Sequence, residues 1–299
     1  MSAASMDRSG GDEVRDEVNH FRRVAIIWAI ATVILTPIMI FVLGPGLPPG
    51  NGSVEAHGQV VDNTVLLATS TPLALVVLVV FIYSLIAFRE RQPEVYVDGP
   101  PVRGHSGIQT TWLAVTTITV LFLAAYGTAR LLADGSGGGQ GPNPIAIPPD
   151  QHGALPFDEG GALTVQVIAQ QWKFTYRFPQ YGGVEVPALE LPAHTPITFH
   201  VTSLDVIHSF WAYQLGVKAD ANPGVDNVAY VTTEGPLTFH IHCAELCGVW
   251  HGYMYGTGHV VPPAQFGTWI KQQQQKFAPA TKNLDPYGKK YFPVPTRRA

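Results

Sequence analysis

Within twelve residues, Cys243-Ala-Glu245-Leu-Cys247-Gly-Val-Trp-His251-Gly-Tyr-Met254 gathers two thiols, an imidazole and a thioether. Cys243 and Cys247 are the only cysteines in the chain, and no methionine stands between Met39 and Met254. Thiolate and thioether sulfur beside imidazole select copper or zinc over hard cations. A mononuclear blue-copper site uses a single cysteine, so it leaves one thiol over. Zinc takes cysteine and histidine but gains little from a thioether. Two copper ions bridged by both thiolates use every member of the set. The plain alternative is a disulfide between Cys243 and Cys247 in an oxidising compartment. It closes a tight ring and leaves His251 and Met254 without a role.

Donors crowded into one loop need a rigid frame, and the pattern around them predicts β-structure. Residues 163–168, 172–178, 197–203, 228–233 and 237–242 are short β-prone segments separated by turn residues. The second of these sets an aromatic at every other position: Trp172, Phe174, Tyr176 and Phe178. This spacing predicts an antiparallel sandwich or barrel over residues 162–262. A β-sandwich with metal ligands in a loop near its end, plus one histidine from an earlier loop, is the cupredoxin plan. Asp205-Val-Ile-His208-Ser-Phe-Trp211 supplies the best upstream imidazole, with Ser-Phe-Trp expected to pack beneath it. His240 and His242 share one face of the strand before Cys243. They read as solvent-facing or hydrogen-bonded side chains, with an extra metal site as the alternative. His194, His200 and His259 show no partner pattern. Without Cys-x-x-Cys-His there is no signature for covalent c-type haem.

The rest of the chain predicts where this domain sits. Hydrophobic residues make up 46% and charged residues only 13%, which points to a membrane protein. Apolar runs at 24–43, 65–88 and 108–132 each approach the ~20 residues that a helix needs to cross the ~30 Å hydrocarbon layer. Arg8, Arg15, Arg22 and Arg23 precede the first run, residues 44–64 contain no Lys or Arg, and Arg89, Arg91 and Arg103 follow the second. By the positive-inside rule the tail at 1–23 and the second loop are cytoplasmic, and everything after the third run is outside. The first run reads as a transmembrane helix or as a signal-like segment, and either delivers the C-terminal half to the outer face of the cell membrane. Residues 133–161 are rich in Gly and Pro and predict a linker. Residues 263–299 predict a polar helix and a tail. A net charge of −4 is too small to imply a nucleic-acid partner.

Three motifs together, His208-Ser-Phe-Trp, Gly216-Val-Lys-Ala-Asp220-Ala-Asn-Pro223-Gly224 and Cys243-Ala-Glu-Leu-Cys-Gly-x-x-His-x-x-Met254, resemble subunit II of the haem–copper cytochrome c oxidases. The resemblance runs from Val65 to about Val261. It implies a membrane-anchored all-β protein, with transmembrane helices followed by an extracytoplasmic cupredoxin-like Greek-key domain. It implies a dinuclear copper centre held by Cys243, Cys247, His208 and His251, with Met254 and the backbone carbonyl of Glu245 as weak axial ligands. The Glu245 side chain would reach a magnesium ion at the contact with subunit I. Trp172, in Gln171-Trp172-Lys-Phe174-Thr-Tyr176, matches the tryptophan that admits electrons from cytochrome c, although packing is the bland reading of a strand aromatic. Asp205 resembles an acidic residue of the docking face, although an ordinary turn residue is the simpler reading. The implied partners are oxidase subunits I and III, cytochrome c and the membrane. The implied activity is that of one subunit of a proton-pumping cytochrome c oxidase.

This chain departs from the family pattern in three places. Gln109 stands where a Glu usually marks the mouth of a proton channel, and an amide cannot ionise. Val225 stands where an Arg is frequent, and Ile241-His242 stands where Gly-Gln is usual. A quinol oxidase subunit II would lack the copper ligands that this chain keeps. A membrane-tethered copper carrier or assembly protein would favour an exposed, exchange-prone site. Nitrous oxide reductase, which uses such a copper pair, needs a propeller domain for which this chain has no room.

Overall fold

The computed structural model describes residues 9–47, 50–89, 104–133 and 162–283. The expected linker beyond Ala133, most of the loop between the second and third apolar runs, and the end of the C-terminal tail lie outside the described residues. The apolar runs form three long helices: α1 (Ser9–Ile38), α2 (Val54–Ala87) and α3 (Ser106–Ala133). Over His20–Gly46, Val54–Ala87 and Ser106–Leu132 they are long and apolar enough to cross a membrane. In α3 the hydroxyls of Thr116 and Thr119 donate back to the carbonyls of Trp112 and Val115 at 2.9 and 2.8 Å. Back-bonding of this kind satisfies a polar group inside an apolar helix.

The chain divides into two compact units, residues 1–47 with 61–110 and residues 48–60 with 111–299. In the first, α1 and α2 meet through two polar contacts. The Trp28 indole N–H donates to the Pro72 carbonyl at 2.9 Å, and His20 Nδ1 lies 2.6 Å from the Tyr83 hydroxyl.

Among the described residues the second unit holds ten strands: β1 (Leu163–Gln170), β2 (Lys173–Phe178), β3 (Val184–Val186), β4 (Leu189–Pro192), β5 (Pro196–Ser203), β6 (His208–Ala212), β7 (Val217–Ala221), β8 (Asn227–Thr232), β9 (Leu237–Cys243) and β10 (Tyr255–Val261). They form two five-stranded sheets, ordered β3-β2-β1-β5-β8 and β4-β10-β9-β6-β7. The inward residues interdigitate: Val165, Val167, Phe199 and Val201 from one sheet, and Phe210, Phe239, Ile241 and Val260 from the other. This is the cupredoxin-like β domain expected from the sequence.

The pairing is not wholly antiparallel, as the strand spacing had suggested. β1 pairs with β5, and β4 with β10, in parallel. The chain passes repeatedly from one sheet to the other, so some strands return beside a neighbour in the same direction. Alternation of apolar and polar residues reports which face is buried and is silent on strand direction. Helix α4 (Pro263–Lys276) buries Phe266 and Ile270 at the edge of the core, with Trp269 edge-on to Phe178 at 5.7 Å. A short α5 (Ala278–Lys282) follows.

Helix α2 begins inside the stretch that reads as a loop. Ser53 caps it, accepting from the Ala56 amide at 3.0 Å while its own hydroxyl donates to the Leu215 carbonyl at 2.8 Å. The Glu55 carboxylate accepts from the Thr232 amide and hydroxyl at 2.8 and 3.2 Å, and the Gln59 amide donates to the Gly216 carbonyl at 2.8 Å. The first turns of the helix are thereby stitched to the β domain by polar contacts that no hydrophobic run would reveal.

One close approach pins the strand that leaves the donor loop. Gly258 of β10 stands opposite Phe239 of β9. A Cβ on Gly258 would come within 2.3 Å of the fully buried Phe239 ring. Gly258→Ala is therefore expected to cost about 1–3 kcal/mol by overpacking. Thermal unfolding followed by tryptophan fluorescence reads this as a lowered Tm. A melting temperature equal to the parent's would mean that Phe239 has room to turn away.

Candidate metal centre

The donor loop runs from the end of β9 to the start of β10, and the backbone ties its two ends together. The Cys243 amide donates to the Met254 carbonyl at 3.0 Å, and the Ala244 amide donates to the Ser209 carbonyl at 2.9 Å. Cys243 is the last residue of β9 and points into the core, because Phe239 and Ile241 before it do so. His208 opens β6, the strand beside β9, with Phe210 opposite Cys243 in register. Adjacent strands of one sheet thus bring residues distant in sequence into one pocket.

Five side chains and one carbonyl converge there. The two thiol sulfurs lie 3.6 Å apart. Around Cys243 Sγ stand His208 Nδ1 at 3.8 Å and the Glu245 carbonyl at 3.2 Å. Around Cys247 Sγ stand His251 Nδ1 at 3.5 Å and Met254 Sδ at 3.8 Å. The donor atoms of His208, Cys243 and Cys247 all lie within 4.8 Å of one another. A disulfide needs sulfurs about 2.05 Å apart, and both cysteines are free thiols. All six predicted donors are brought together, and the donor set fits a soft metal. Each sulfur has one imidazole nitrogen and one weaker donor beside it.

Burial sharpens the chemistry. His208 is fully buried, and Cys247 and Met254 are 3% and 2% exposed, while His251 is half-buried. Burial pushes the Cys247 thiol up to about 12, and the neighbouring Cys243 adds to the rise through its hydrogen bond and its charge. In the metal-free chain this thiol is neutral, and a metal must displace its proton.

Asp205 has more to do than the sequence shows. Its carboxylate accepts from the amides of Gln171 and Val206, each at 2.7 Å, and lies 2.9 Å from His208 Nε2. Desolvation would raise this carboxyl. The Gln171 amide, the His208 ring, the Val206 amide and the Ser203 hydroxyl outweigh that effect and hold it below the usual carboxylate range. A carboxylate at Nε2 keeps the ring proton there and turns the free lone pair of Nδ1 towards Cys243. Turn residue and ring-orienting partner are one and the same. The Asp-x-x-His spacing was the available signal.

Trp172 is half-buried and lies in the turn before β2, not on the strand itself. Its indole N–H donates to the Cys247 carbonyl at 3.1 Å, and the Gln171 side-chain amide donates to the same oxygen at 2.9 Å. The ring lies against Gly248, whose φ of +114° and 3.3 Å clearance for a Cβ both favour glycine. Trp250 meets Trp172 edge-on at 6.5 Å and is itself about half exposed. Trp211, expected beneath His208, turns to the opposite face of the sheet, where it packs on Tyr213 and His242. Phe210 takes the inner place, in contact with Phe174, Tyr176 and Phe199, because alternate residues of β6 face opposite ways. Of the weaker histidines, His200 pairs with Asp226 at 2.8 Å and His259 Nδ1 lies 3.1 Å from the Thr238 hydroxyl.

Comparison with known proteins places this arrangement. Residues 187–257, which include His208 and the whole donor loop, match the family model described as cytochrome c oxidase subunit II, periplasmic domain. Cytochrome c oxidase subunit 2 of Thermostichus vulcanus is 31% identical over 286 residues, covering 84% of this chain and 86% of that protein. The same subunit of Synechocystis sp. is 28% identical over 273 residues, covering 82% of each. The periplasmic domain of subunit II of cytochrome oxidase from Bradyrhizobium japonicum is 30% identical, covering 38% of this chain and 95% of that structure, with a TM-score of 0.38. Identity sustained over more than four-fifths of both chains, with the match spanning the donor loop, makes this chain a member of the cytochrome c oxidase subunit 2 family.

Proposed function

We propose that this chain is the electron-accepting subunit of a proton-pumping terminal oxidase. It takes electrons from a c-type cytochrome at a dinuclear copper centre and passes them to haem in subunit I, where oxygen is reduced to water. As a family member it is a subunit of a haem–copper oxidase, with apolar helices and an extracytoplasmic β domain. The observation that carries the finer reading is the doubled donor set. Each of two thiols 3.6 Å apart has its own imidazole and its own weak donor. A copper pair held by these residues would supply a one-electron acceptor.

The chain's own residues prepare that chemistry. Cys243, Cys247, His208 and His251 would hold the copper, with the Met254 thioether and the Glu245 carbonyl as weaker donors beside them. Asp205 holds the His208 ring in one orientation, and the buried side chains of Phe210 and Met254 keep water from the sulfurs. A rigid, dry shell of this kind limits the rearrangement that electron transfer requires. Trp172 is the surface acceptor for electrons. Between its ring and the Cys247 sulfur lie one hydrogen bond and the covalent frame of a single residue. The Glu245 side chain is exposed, and its carboxylate suits a magnesium ion at the contact with subunit I. Subunit III completes the set of partners. A copper carrier would need donors that ions reach and leave with ease, and the burial of His208, Cys247 and Met254 argues against that role.

The copper-loaded chain is expected to hold two ions in the donor loop. Its electron paramagnetic resonance spectrum should show one electron shared equally by two nuclei, and Cys247→Ser should abolish that pattern. One bound ion, with the simple spectrum of isolated copper, would refute the assignment. Trp172→Phe should leave this spectrum in place and slow reduction by cytochrome c by roughly tenfold or more. An unchanged rate would return Trp172 to a packing role. Copper uptake should release protons and strengthen as pH rises, because the Cys247 proton must leave. Stability of the metal-free chain runs the other way. A raised thiol contributes fully below its ordinary value of 9.0, and the contribution is lost as pH climbs to about 12. The metal-free Tm should fall over that window, and a constant Tm would contradict the burial argument.

A further inference from the structure

Strand β9 carries chemistry on both faces. Phe239, Ile241 and Cys243 are buried, whereas Thr238, His240 and His242 on the alternate positions are exposed. The donor loop takes up the inner face and leaves the outer one unused. There the His240 and His242 rings stand 6.3 Å apart, centroid to centroid. Among the described residues, no ring nitrogen of either histidine has a hydrogen-bond partner. The His240 backbone amide donates to the Gln214 side chain at 2.6 Å, which fixes the strand at that point. Trp211 and Tyr213 each lie 6.3 Å from the His242 ring and wall it on the side of β6.

The geometry points to a second metal site on this outer face: His240 and His242 chelate a late first-row divalent ion, copper(II) most tightly. Imidazole suits copper, nickel and zinc, and at a given nitrogen site copper(II) binds most strongly of the divalent series. Metal–nitrogen bonds of about 2.0–2.1 Å require the two donor nitrogens to come within about 4 Å of each other. Rotation of two exposed rings on neighbouring same-face positions of one strand achieves that without moving the backbone. The aromatic wall removes part of the rotational freedom beforehand, which lowers the entropic cost of closing the chelate. Water fills the remaining coordination positions. His259 lies on the same face but opposite Thr238, whose hydroxyl already engages its Nδ1 at 3.1 Å, so it stands outside the pair. The backbone of β9 separates this site from the thiols, since His242 and Cys243 project to opposite sides.

The test uses the full chain in detergent, purified without a polyhistidine tag and with its donor loop already copper-loaded. Copper(II) sulfate is added in increments and followed by electron paramagnetic resonance. The parent chain should take up one further copper(II) with nitrogen hyperfine structure. H240Q, H242Q and the double variant should weaken its binding by at least tenfold. H259Q should bind as the parent does, and the donor-loop spectrum should be unaltered in every variant. The proposal is overturned if the parent binds no further copper(II), or if the double variant binds it with parental affinity. Loss of the donor-loop spectrum in the double variant would make the histidines structural and would overturn it equally.

Discussion

Two thiols held 3.6 Å apart in a dry pocket set the terms for everything around them. Burial disfavours the charged form of Cys247, and negative charge beside it disfavours that form further. Only a cation between them makes a thiolate pair stable there. The β-sandwich supplies the opposing constraint, because strands on either side of the loop cannot separate to relieve the crowding. Cys243 belongs to β9, His208 to β6, and the Met254 carbonyl receives the Cys243 amide at the foot of β10. The pocket is therefore assembled by folding.

The surrounding side chains show how one carboxylate and one carbonyl organise a larger region. Asp205 links the turn of Gln171 to the ring of His208. The Cys247 carbonyl receives both the Gln171 amide and the Trp172 indole. The half-buried tryptophan and two members of the donor set are thus joined through few bonds, with Gly248 giving the indole room beside the loop. Disturbing any member of this chain shifts the others, so its parts act as a unit. At the other end of the domain, Ser53 and Glu55 tie the first turn of α2 to β8 and to the Leu215 carbonyl. That polar stitching holds only the first turns of α2, up to Gln59, against the β domain.

The order of residues, read alone, determined the chemistry and its vicinity: two thiols, an imidazole and a thioether in twelve residues, three apolar runs, and aromatics at alternating positions from Trp172 to Phe178. Ligand type and spacing along a chain are local properties, and so is the periodicity that marks a helix or a strand. Tertiary structure alone decided the rest. It set β1 beside β5 in parallel, turned Trp211 outward and Phe210 inward, and started α2 at Val54. Each of these depends on which strands become neighbours and which face each presents. That choice belongs to long-range packing of the whole domain and leaves no mark in any short stretch of sequence.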